Sequence, residues 1–237
     1  MLAFLKKDNP LMLPLLFIAT AAMWLGDIIS PHFHSGVFEQ MPMPLYQVVL
    51  MAFSQASWWA TTIAAILLLF TGFVLNQLNA RFRLIDEGTY LPGVLFVLII
   101  SSFHSIHQIN PMLFAIFFLL IALHIVFPTY RIEKTIEPFF NSAFLISVGS
   151  LFYFPLIFFV LMLFYFMLNS RSFYWREWVV ALLGIITPYL FAFSIYFIID
   201  KPLELLNTLQ YQLSVPATND TIDVRYIVFF FFISIMM

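Results

Sequence analysis

The chain has 237 residues, 63% hydrophobic and 9% charged, with a formal net charge of −2. Soluble domains are about 45–50% apolar, and one this size could not hide such an excess together with 31 Phe, so lipid must be the solvent for much of it. The charge balance gives no electrostatic case for nucleic acid, and without Cys there are no disulfides or thiolate ligands.

Residues 11–29 form the first apolar run. A signal peptide competes here, since Lys6 and Lys7 precede it and Ala19-Thr20-Ala21 resembles a cleavage site. The run continues to Ile29, which favours a membrane span. A loop follows, "GDIISPHFHSGVFEQMPMP" (26–44), with Asp27, His32, His34 and Glu39 but no Lys or Arg. Within 45–53, Leu45, Val48, Val49 and Phe53 fall at helical spacing and Tyr46 and Gln47 lie off that stripe. An amphipathic helix lying in the interface is expected, though the segment could also lengthen the next span.

Residues 57–78 are the second span, opened by Trp58 and Trp59 as an interfacial pair. Residues 91–127 hold a polar middle, "SSFHSIHQINP" (101–111), between apolar arms at 91–100 and 112–127, which reads as a helical hairpin. Residues 139–169 reach about 46 Å as one helix, long for one crossing and short for two. Gly149, Ser150 and Pro155 mark a break, so a second short hairpin is expected. Residues 178–199 form another span, and 200–225 reads as a long loop. The last run, 226–237, is too short to cross and reads as a helix that continues beyond this sequence.

The expected fold is all-α: one polytopic transmembrane helical bundle over 1–237, with about eight hydrophobic segments, two short hairpins and the interfacial helix. With the N-terminus inside, Lys6, Lys7, Arg81, Arg83, Arg131, Lys134, Arg171 and Arg176 lie inside, and Lys201 and Arg225 outside. A single span over 139–169 gives an equally lopsided tally, so charge orients the first half and not the second.

This topology gathers Asp27, His32, His34, Glu39, His104 and His107 on one face. Three roles are physically open. A carboxylate could act as base toward a sugar or lipid-phosphate substrate. Imidazoles with a carboxylate could bind a divalent metal. The groups could also line a proton path. His104 and His107 are three apart and could share a helical face. The plainer reading is polar residues wetted by headgroups. Arg81 and Arg83, with Asp86 and Glu87, could hold a substrate phosphate, or simply form a salt-bridged loop that sets topology. His124 is expected to hydrogen-bond to a neighbouring helix.

The runs "NARFRLIDEGTYLPGVLFVLI", "INPMLFAIFFLLIALHIVF", "FFNSAFLISVGSLFYFPLIFFVLMLF" and "REWVVALLGIITPYLF" resemble an uncharacterised family of bacterial polytopic inner-membrane proteins, a domain of unknown function. In layout the chain is also similar to the membrane module of C-type glycosyltransferases, which use polyprenyl-phosphate sugar donors. That likeness implies a catalytic carboxylate at Asp27, an interfacial helix at 45–53, and Glu39 or His34 assisting or holding a metal. His34, His104, His107, Arg81 and Arg83 would contact substrate. Expected partners are membrane lipid, a polyprenyl-phosphate sugar and other envelope proteins. The alternative without catalysis is a scaffold or accessory subunit of an envelope assembly. A small-solute transporter fits less well, because nearly all charges lie at the interfaces.

Overall fold

The structure is a computed structural model and describes residues 12–29, 41–53, 58–82, 90–103, 107–131, 136–170 and 175–214. Among these residues there are nine α-helices and no strand. They are α1 (Met12–Ile29), α2 (Pro44–Ala52), α3 (Trp58–Phe82), α4 (Leu91–Ser101), α5 (Pro111–Val126), α6 (Glu137–Ser150), α7 (Phe159–Ser170), α8 (Trp175–Ile198) and α9 (Pro202–Ser214). Short 3-10 turns, Phe127–Arg131 and Phe154–Phe158, follow α5 and precede α7. Proline opens several helices, where its missing N–H costs nothing, and Asn110 caps α5 by accepting from the Met112 N–H at 2.9 Å.

Among the described residues, three helices are long and apolar enough to cross a membrane: Trp58–Phe82, Pro111–Thr129 and Trp175–Ile198. Thr20–Ile29, Leu91–Ser101 and Phe154–Leu168 are shorter apolar helices. The expected count of about eight membrane segments is therefore not supported. Hydropathy counts apolar runs without measuring their reach. The 11 residues of α4 rise about 16 Å, half of a hydrocarbon core of roughly 30 Å. The run at 226–237 lies outside the described residues.

The predicted loop at 200–225 is also corrected, since it contains α9. Leu205, Thr208 and Gln212 recur at helical spacing and form its buried side. The helix docks by a Gln212 Nε2 bond to the Met41 carbonyl at 2.9 Å.

Contact between helices rests on small and hydroxylated residues, as expected where lipid removes the hydrophobic drive for association. On α6, the Ser142 hydroxyl donates to the Ala122 carbonyl at 3.1 Å and that of Ser147 to Ile185 O at 2.6 Å. A Cβ on Gly184 would sit 2.7 Å from the Phe140 carbonyl, so α6 and α8 approach too closely for any larger residue. One apolar cluster joins α5, α6, α7 and α8 around Phe139, Ile146 and Leu163. A second joins α1, α3, α4 and α5 around Trp24, Leu68 and Val97.

Cross-contacts define two ends of the bundle. At one end, the Leu45 N–H bonds to Leu151 O at 3.2 Å, the Tyr46 hydroxyl to Ile109 O at 3.0 Å, and the Tyr196 hydroxyl to Gln47 Oε1 at 3.0 Å. At the other, Arg81 meets His124 and Phe164 stacks on Trp178. On α2, Tyr46 is buried and Val48 and Met51 are exposed, while Leu45 packs against the cluster of Met43, Leu151, Ala192 and Leu205, so the expected apolar stripe is only partly exposed.

Candidate functional site

The site grows from the last turns of α1. Thr20, Trp24 and Asp27 lie at i, i+4 and i+7 and are all buried. Their stripe faces the end of α4 and the turn that leads into α5. That turn carries His107, whose Nδ1 lies 2.5 Å from Asp27 Oδ2. The other ring nitrogen, Nε2, lies 2.8 Å from the Ser101 carbonyl oxygen. The two side chains are 9% and 6% exposed, Asp27 and His107 respectively. The ring also stacks on Trp24, with centroids 4.4 Å apart, and the Trp24 Nε1–H donates to the Ser101 hydroxyl at 3.1 Å.

The partners constrain the protons. A carbonyl only accepts, so Nε2 carries a hydrogen and donates it. Nδ1 faces the carboxylate, and this pairing is how two ionisable groups tolerate so little water. Ser101 ties the assembly together, because its hydroxyl receives Trp24 and its carbonyl receives His107.

Of the residues expected to act here, Asp27 and His107 are brought together. His34, Glu39, His104 and Arg83 lie outside the described residues, as does His32. Arg81 lies at the opposite end of the bundle, with Nη1 donating to His124 Nε2 at 2.7 Å and its guanidinium 5.6 Å from the Phe82 ring centroid. It therefore shares no site with Asp27 and His107. The His124 bond to a neighbouring helix, expected from sequence, is this one to α3.

Trp24 and Ser101 were not singled out by sequence reasoning. Trp24 reads as one more apolar residue of a span, yet it stands three residues before Asp27, the spacing that stacks side chains on one face. Among the described residues, no group of three His, Asp or Glu side chains could hold a metal ion. Chemically, the arrangement is a buried latch between α1 and the α4–α5 turn. For Asp27 Oδ2 to take a proton from a substrate, His107 would first have to move aside.

No protein-family model, no curated protein and no solved structure matches the chain.

Proposed function

We propose that this chain is a multi-pass component of a bacterial inner membrane, with its N-terminus in the cytoplasm, that serves as a non-enzymatic scaffold or accessory subunit of an envelope assembly. The observation that carries this reading is the closed state of Asp27, buried and bound to His107 at 2.5 Å. A carboxylate so engaged tethers helices rather than waiting for an acceptor hydroxyl. Lys6, Lys7, Arg81 and Arg83, set against a 30–56 stretch with no basic residue, support the orientation.

A second reading keeps a specific observation. Asp27 stands in the last turn of α1, and α2 follows at the same end of the bundle. That order fits transfer from a polyprenyl-phosphate sugar at the outer face, with Asp27 as base once released from His107.

Reconstituted protein supplied with a polyprenyl-phosphate sugar and a hydroxyl acceptor separates the two. The scaffold reading expects no transfer, and Asp27→Asn to change thermal stability alone. Transfer by the wild-type chain that vanishes in a folded Asp27→Asn variant would overturn it.

A further inference from the structure

A groove of about 480 Å³ opens between α2 and α8, within the roughly 300–1,000 Å³ typical of small-ligand sites. Its walls are apolar, with Val48, Phe144, Phe191 and Ile195 among them. Its mouth is not, for Gln47, Tyr196, Lys201 and Glu204 gather there. Along α8 the groove runs from Pro188 to Ile199. That is about 16 Å at helical rise, half of a hydrocarbon core of roughly 30 Å and so the depth of one leaflet.

The mouth is built rather than incidental. Helix α8 ends in a paired cap, in which the Lys201 N–H bonds to Tyr196 O at 2.9 Å and the Asp200 N–H to Phe197 O at 3.1 Å. Asp200 takes the left-handed position of that cap, with φ 60°. This fixes Lys201 between α8 and α9, where its Nζ lies 3.1 Å from Glu204 Oε2. Both side chains are largely exposed, at 61% and 47%. An exposed ion pair is worth little, so a ligand can exchange into it at small cost.

We infer that the groove holds an acyl chain of a zwitterionic, amine-bearing phospholipid, with the phosphate on Lys201 and the ammonium on Glu204. Charge selects this head. A purely anionic headgroup would meet one cation, Lys201, with the carboxylate of Glu204 beside it. A phosphoethanolamine head offers each mouth charge its opposite, and its N–H groups can donate to Glu204, which a quaternary choline cannot. The inference does not depend on the scaffold reading.

The test uses the full chain in nanodiscs of equal phosphatidylethanolamine and phosphatidylglycerol. After extraction into detergent, native mass spectrometry counts the lipid retained. One phosphatidylethanolamine per chain is expected, enriched about three- to fivefold over phosphatidylglycerol, the scale of one exposed ion pair. Ile195→Trp, at an exposed wall position, should empty the groove without loss of helix content. Glu204→Lys should reverse the preference toward phosphatidylglycerol. Equal retention of both lipids, retention indifferent to Ile195→Trp, or a groove closed by a second copy of the chain with no lipid would each overturn the proposal.

Discussion

Two histidines flank α5, His107 in the turn before it and His124 in its last turn, and each meets a neighbouring helix in a different way. At the first end, both ring nitrogens of His107 face acceptors, one a carboxylate and one a carbonyl. At the second, His124 Nε2 must accept, because the Arg81 guanidinium only donates. Its hydrogen then sits on Nδ1, which is buried with no partner among the described residues. His107 is thus committed on both sides and His124 on one. A buried donor left unpaired carries a desolvation penalty, so the second contact is the weaker tether. Polarity at membrane depth stabilises only where the geometry completes it.

The largest effect should come from the first end. Asp27→Leu and His107→Leu each strand a buried partner, and each should cost about 3 kcal/mol. The double variant should fall short of the sum by about 2 kcal/mol, as coupled neighbours do. Denaturation followed by circular dichroism in detergent would read this cycle, and strict additivity would break the contrast between the ends. A smaller loss is expected for Trp24→Phe, about 1–2 kcal/mol, because the ring still packs but the bond to Ser101 is gone. At the other end, His124→Leu should leave stability unchanged or raise it by up to about 1 kcal/mol, since it removes the unpaired donor. A fall there as large as that of His107→Leu would make the two ends equivalent.

How much of this was legible depends on range. Helix class and approximate positions follow from composition and apolar runs, because every backbone group in lipid must bond within its own segment. The break near Pro155 and the hairpin turn after Ser101 were visible as punctuation. Asp27 and His107 stood out as ionisable groups in an apolar chain, but their pairing did not. They are 80 residues apart in sequence, and nothing local records that α1 and the α4–α5 turn meet. Helix reach was likewise hidden, so segments were overcounted. Helix α9 was missed because its mixed polarity looks like loop to a search for spans, while its buried stripe has meaning only once α8 and Met41 are in place. Arg81 was grouped with substrate-binding residues on charge alone, whereas its position depends on where α3 ends.

The span of the Asp27–His107 contact bears on how the chain is made. Synthesis delivers α1 first, with Asp27 at its end and its partner still to come. The carboxylate has no His107 to bind until the turn behind α4 is made and reaches the end of α1. The latch therefore closes late, and its closure marks a chain whose α4–α5 turn has reached the end of α1.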